Sequence, residues 1–237
     1  MKDIQTIKKQ LAEQYFGRET EEYDSARSST PARKYIVQKK AEIMAKLLGE
    51  SKGRNILDVA CGTGRFFYLY ENRQIFGCDI SKDQLREAKK KSPDATLIVA
   101  DAEKLPYPDN KFDIVITSQF IEHIPQYKNI LKEMARVCKP GGSIIADFPN
   151  KHSLTYLPTK ARIFTGKLRH LNLFTKEQIK NLADELNLEI KNIENTVVIS
   201  PNLFPAFCLS GINRINEQLI KKFPNLGYLY FIRFVKK

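Results

Sequence analysis

Only four cysteines occur among the 237 residues, Cys61, Cys78, Cys138 and Cys208, and no two of them form a C-x-x-C pair. Their scatter excludes a zinc ribbon and a disulfide framework, so no metal site is expected, and it suits reduced thiols in a cytoplasm. A membrane span is lacking as well, because no apolar run approaches the roughly 20 residues a bilayer requires. The opening stretch MKDIQTIKKQLAEQYF alternates apolar and charged residues and so holds no signal-peptide core. Neither an internal repeat nor a low-complexity linker interrupts the chain. Its length suits one domain with a sizeable core.

What is present is positive charge, in particular places. The net charge is +12. Residues 150–174 hold Lys151, Lys160, Arg162, Lys167 and Arg169 without one acid, and residues 214–237 hold six basic residues against Glu217 alone. The excess therefore belongs to two segments rather than to the whole surface.

Between these features the chain alternates strand and helix patterns, the signature of a parallel sheet covered on both faces. VQKKAEIMAKLLG has helical spacing and stops at Gly49. Strands are predicted at NILDVA (55–60), QIFGCDI (74–80), ATLIVAD (95–101), KFDIVITS (111–118) and SIIADF, with LEIKNIENTVVI and YLYFIRFVKK as the last two. A helix is expected after the glycine turn at 62–64. Others are expected in SKDQLREAKKKS behind the N-cap Ser81, and in QYKNILKEMARVCK, closed by the Pro-Gly-Gly of 140–142. A further helix is expected in TKEQIKNLADELN, where Thr175 and Gln178 form a capping-box pattern, and helical insertions are expected as a lid.

The stretch NILDVACGTGRFF ends an apolar run in a glycine-punctuated turn. A dinucleotide site wants G-x-G-x-x-G, whose third glycine lets helix and strand pack around the pyrophosphate. Gly62 and Gly64 are there, but Phe67 holds the third position. The remaining signal is Asp58, an acid inside an apolar strand. A buried acid is unfavourable unless paired, so one aimed at this turn suggests a cationic or hydrogen-bond-donating ligand.

ILDVACGTG resembles motif I of the Rossmann-like S-adenosylmethionine-dependent methyltransferases, with Ala60 where the first glycine stands. Three further stretches match in order: GCDIS, VADAEKLPYPDNKFDIVITS and LKEMARVCKPGGSIIADF. The resemblance covers about residues 33–190 and is of the type 11-like kind. It implies a doubly wound, mostly parallel seven-stranded sheet with the last strand antiparallel. It also implies S-adenosyl-L-methionine as cofactor and S-adenosyl-L-homocysteine as product. On the matching positions, Asp58, Ala60, Gly62 and Gly64 line the turn, and Asp79 with Ile80 meets the ribose end. Asp101 and Ala102 meet adenine, and Ser118 follows the fourth strand. Tyr23 closes over the site from the N-terminal arm. Arg33 either pairs with the methionine carboxylate or is a solvated arginine at a helix start.

The domain divides as a cap of N-terminal helices over 1–50, a cofactor core over 51–149, and two lid insertions at 150–174 and 200–227. Basic and apolar residues share those insertions, which suits a small or lipid-like acceptor, anionic and partly apolar, methylated on oxygen or carbon. A helical subdomain with a basic outer face is the plain reading of the same residues. Methyl transfer demands alignment first and a base only where the acceptor keeps its proton. His123, just after the fourth strand, is either that base or a hydrogen-bonded loop histidine. His152, Arg162, Arg169 and His170 are the candidates to meet an anionic acceptor. An RNA methyltransferase or a basic nucleic-acid-binding module is the alternative that the charge raises. Against it, no Asn/Asp-Pro-Pro-aromatic motif follows the fourth strand, which reads TSQFIEHI.

Overall fold

The computed structural model describes residues 29–49, 53, 55–70, 72–153, 156, 171–198 and 209–237. Helix α1 (Pro31–Gly49) leads into strands β1 (Asn55–Val59), β2 (Gln74–Asp79), β3 (Thr96–Val99) and β4 (Phe112–Thr117). Strands β5 (Cys138–Pro149), β6 (Leu188–Asn195) and β7 (Leu229–Lys236) complete one seven-stranded sheet. Helices α2 (Lys82–Lys91), α3 (Tyr127–Val137), α4 (Lys176–Glu185) and α5 (Leu209–Lys222) follow β2, β4, β5 and β6. The strand order is β3-β2-β1-β4-β5-β7-β6. Among the described strands β7 alone runs antiparallel to the rest, as the resemblance implies.

The central strands are apolar on both faces because helices cover both. Successive side chains alternate between two cores. Leu57, Val59, Val115 and Ile144 enter one, while Ile56, Ile114, Ile116 and Ile145 enter the other. Helix starts follow their predicted caps. Ser81 Oγ accepts the Gln84 N–H at 3.3 Å, and Thr175 and Gln178 make the reciprocal bonds of a capping box at 3.1 and 2.9 Å.

Two elements depart from expectation. The helix expected behind the glycine turn is a single 3-10 turn, Phe67–Tyr70. Only nine residues, 65–73, join Gly64 to β2. They must descend a strand roughly 17 Å tall at about 3.4 Å per residue, and nine α-helical residues would span only ~14 Å. The shortened link leaves a cavity of about 600 Å³ lined by Gly64, Arg65, Phe67, Tyr68 and Arg73 among others, of which Gly64 alone is a predicted site residue. The Pro-Gly-Gly of 140–142 does not close a helix ahead of the strand either. It is a bulge inside β5, where Phe112 pairs with Cys138 and the register then shifts before Ile114 pairs with Ser143. A Cβ on Gly142 would lie 2.8 Å from the Lys139 carbonyl oxygen, so only glycine fits there.

The order reverses between β1 and β4, the switch point at which ligands lodge beyond the carboxyl ends of such strands. The described ends of both segments lie at that edge. Residues 150–174 leave from the end of β5, and the bridge between Asn150 and Phe174 returns them to it. The β6–β7 connection lies there too, because Asn195 pairs with Tyr230 and Pro149 with Leu229.

Candidate functional site

The site begins where β1 ends. Ala60, Gly62 and Gly64 all have left-handed backbone, with φ of 57°, 54° and 64°. The two glycines adopt it freely, whereas alanine there is strained by about 1–2 kcal/mol. A Cβ on Gly64 would also sit 2.7 Å from the Phe67 ring. That ring, at the position of the missing third glycine, is buried because Gly77 in β2 makes room; a Cβ on Gly77 would lie 3.2 Å from it.

Two buried carboxylates flank the turn. Asp79, at the end of β2, accepts the Gly62 N–H on Oδ2 and the Ser81 N–H on Oδ1, both at 2.9 Å. Burial raises its pKa, while those N–H groups pull it down. A carboxylate has about four lone-pair sites, so beside the Ser81, Gly62 and Ile80 N–H groups it keeps acceptor capacity for a hydroxyl donor. Asp58, inside β1, accepts the Tyr70 hydroxyl at 2.7 Å. Burial pushes its pKa up to about 7; the Tyr70 bond lowers it, and the Asp79 charge adds to the rise.

Gln84, one turn into α2, is a residue that the sequence reading missed. It is 1% exposed, and neither amide atom has a hydrogen-bond partner among the described residues. A Cβ on Gly62 would stand 3.4 Å from its Oε1, which places the amide beside the glycine turn. Such orphaned buried amides are rare in folded proteins, and a ligand is one explanation. The available signal was a polar residue on the buried stripe Gln84, Leu85, Ala88. Tyr70, delivered by the 3-10 turn, gave no comparable signal.

Ile80, just past Asp79, is 48% exposed, and Val99, at the end of β3, is 52% exposed. Both residues stand at the carboxyl edge of neighbouring strands, where β3 pairs Val99 with Asp79. Asp101 caps the next turn by accepting the Glu103 N–H at 3.0 Å, with Ala102 buried behind it.

On the other side of β1, the Thr117 hydroxyl donates to the Val59 carbonyl at 2.8 Å and ties the ends of β1 and β4 together. Ser118 follows, and its hydroxyl donates to Asp147. His123 ends a 3-10 turn (Ile121–His123), with Nε2 3.5 Å from Glu122 Oε1. Arg33, in the first turn of α1, is exposed and donates to Ser29 Oγ at 3.0 Å. His152 is exposed, and its N–H donates to Asn150. Tyr23, Arg162, Arg169 and His170 lie outside the described residues. Among the described residues no group of His, Cys, Asp and Glu could hold a metal ion, and no helix is long and apolar enough to cross a membrane.

Comparison with known proteins bears on this corner directly. Residues 57–146 match the family described as "Methyltransferase domain". The demethylmenaquinone methyltransferase of Bacillus licheniformis is 40% identical over 108 residues, which are 42% of this chain and 47% of that one. The chain thus spans about half the length of that curated relative. In structure, the magnesium protoporphyrin IX methyltransferase of Synechocystis, solved with bound SAH, has a TM-score of 0.63 at 17% identity, over 86% of each chain. A protein named as a cyclase superposes almost as well, with a TM-score of 0.61 at 21% identity over 83% of this chain and 80% of that one. The fold alone therefore does not carry the chemistry, and the sequence match has to. Residues 57–146 thus carry a match to the methyltransferase domain, and the sheet order and glycine turn around them are those that the resemblance to Rossmann-like S-adenosylmethionine-dependent methyltransferases implies.

Proposed function

We propose that the protein transfers the methyl group of S-adenosylmethionine to a small acceptor with an apolar body, of the quinone-precursor or lipid-like class. The observation that carries the reading is the corner of Gly62, Asp79 and Gln84: a buried carboxylate with free acceptor capacity beside an orphaned amide and open backbone. Asp79 accepts from the ribose diol, and the Gln84 amide answers the same end of the cofactor. Ile80 covers adenine, whose edge meets Asp101 and the Ala102 N–H. Gly62 and Gly64 let the backbone approach, and Asp58 faces the methionine ammonium. Arg33 and Tyr23 close the carboxylate end.

In the reaction a bond forms from the methyl carbon to the acceptor oxygen or carbon as the S–CH3 bond breaks. The sulfonium charge is cancelled and S-adenosylhomocysteine leaves. The acceptor's proton goes to water or to a base, for which His123 is the candidate. The relative's name supports a reduced naphthoquinone as the first acceptor to try. The basic insertions support an anionic group on it, because their field concentrates anions and salt screens that effect.

The test is transfer of a labelled methyl group to a reduced, short-chain demethylmenaquinone, with Arg162→Glu/Arg169→Glu as the second arm. A raised acceptor KM with little change in cofactor affinity is expected of the reversal. Unchanged kinetics at low salt would leave the charge as a solvated face. The net charge keeps one second reading in view, an RNA acceptor. Salt-sensitive binding of bulk RNA, tighter than that of the quinol, would favour it.

A further inference from the structure

Beyond the cofactor corner, a third buried carboxylate stands near the end of β5. Asp147 has no exposed surface, and both its oxygens are engaged by the turn that follows β4. Oδ1 accepts the Gln119 N–H at 2.8 Å and Oδ2 accepts the Ser118 hydroxyl at 3.2 Å. Gln119 has φ of 57°, a left-handed conformation that a side chain resists and that this position adopts without glycine. Such strain persists only where the surroundings impose it.

The far end of the same turn is held as well. Asn172 Nδ2 donates to the Ile121 and Ile124 carbonyls, both at 2.8 Å, and its backbone N–H donates to the Glu122 carbonyl at 2.8 Å. Its neighbour Phe174 is bonded in turn to Pro149, so β5 supports the turn directly through Asp147 and indirectly through Asn172. What is being held lies next to the chemistry. With adenosine over β2 and β3 and the ammonium at β1, the sulfonium and its methyl lie toward β4. The 118–123 turn then forms the wall on the acceptor side.

We propose that Asp147 is a positioning residue for methyl transfer: by holding Gln119 left-handed it fixes the Ser118–His123 wall against which the acceptor is aligned. The proposal rests on the methyltransferase reading for its consequence, and on the two hydrogen bonds for its cause. Asp147 does not itself meet the acceptor. Alignment is the main demand of an in-line displacement, so a loosened wall lowers kcat more than cofactor affinity.

The experiment compares Asp147→Ala, Asp147→Asn and the double variant Asp147→Ala/Gln119→Gly in the full chain. Exchange of the His123 amide, which donates to the Phe120 carbonyl at 3.0 Å, reports the turn without any acceptor. Asp147→Ala is expected to speed that exchange by about tenfold or more, and the added glycine to recover most of the protection. In methyl transfer to the reduced demethylmenaquinone, kcat should drop about tenfold or more in Asp147→Ala with S-adenosylhomocysteine affinity within about twofold. The double variant should regain at least about threefold, and Asp147→Asn, which still accepts from Gln119, should stay within about threefold of the parent.

Should Asp147→Ala fail to fold, Gln119→Val keeps the carboxylate and strains the same backbone, and the same losses are expected of it. Unchanged His123 exchange in Asp147→Ala or Gln119→Val would overturn the proposal. So would an inactive Asp147→Asn that glycine at 119 does not rescue, which would mark Asp147 as a catalytic base instead. If the parent transfers no methyl to this acceptor, the functional reading fails there, and the exchange data still decide the positioning.

Discussion

The cofactor corner and the wall beyond β4 use one device with different materials. In each, a buried carboxylate at a strand end accepts backbone N–H from a left-handed turn: Asp79 from Gly62, Asp147 from Gln119. At the first corner glycine makes the geometry free, and the carboxylate keeps capacity for a ligand. At the second a glutamine is held in place, and the carboxylate that holds it has no exposed surface. The difference separates a carboxylate that binds from one that props.

The comparison breaks most visibly at Asp79. Asp79→Ala removes charge-assisted hydrogen bonds worth on the order of 1.5–3 kcal/mol. It should weaken S-adenosylhomocysteine binding by roughly 10- to 150-fold in a calorimetric titration while the far-ultraviolet spectrum is kept. Unchanged affinity would remove the ribose assignment.

Gln84 should behave with opposite signs in the two states. Its orphaned amide destabilises the free protein, so Gln84→Met should raise Tm, and it should weaken S-adenosylhomocysteine binding by about 2- to 10-fold. A fall in Tm with unchanged affinity would make the amide a packing group only.

Asp58 carries a pH signature. Its pKa is raised by burial to about 7 in the folded chain and lies at about 3.9 when unfolded. Between those values the folded state holds a proton that the unfolded state has released. Its contribution is therefore most favourable below about pH 4, declines as pH rises to about 7, and is level beyond. Thermal unfolding between pH 5 and 8 should show a shallower decline in Asp58→Asn than in the parent. Parallel curves would mean that Asp58 is ionised throughout.

The smallest effect is expected at Ala60. Relief of its left-handed strain, about 1–2 kcal/mol, is opposed by roughly 0.5–1 kcal/mol of glycine backbone entropy. Ala60→Gly should raise Tm by about 1–4 °C. A drop would show that the Ala60 methyl is packed to advantage.

The cofactor corner was legible because its elements are close in sequence. Asp58, Gly62, Gly64 and Asp79 fall within one strand-turn-strand unit, and glycine advertises a left-handed turn. Asp147 was not legible. Its partner Gln119 lies 28 residues away, and no glycine marks the turn. Inside SIIADF the acid reads as one polar residue at a strand end. The 3-10 turn was missed for a different reason: the alternation of strands and helices suggested a helix, and the nine residues of the link are too few for a helix to span the strand. Arg33 remained open between two roles in the sequence, and its guanidinium bonds Ser29 at the start of α1.

The central claim is that the corner between β1 and β2 holds S-adenosylmethionine and not a dinucleotide. Titration of the full chain with S-adenosylhomocysteine, with NAD as the control, tests it most directly. The account predicts saturable one-to-one binding of S-adenosylhomocysteine that Asp79→Ala weakens, and no comparable heat with NAD. Binding of NAD in preference, or S-adenosylhomocysteine binding indifferent to Asp79, would contradict it.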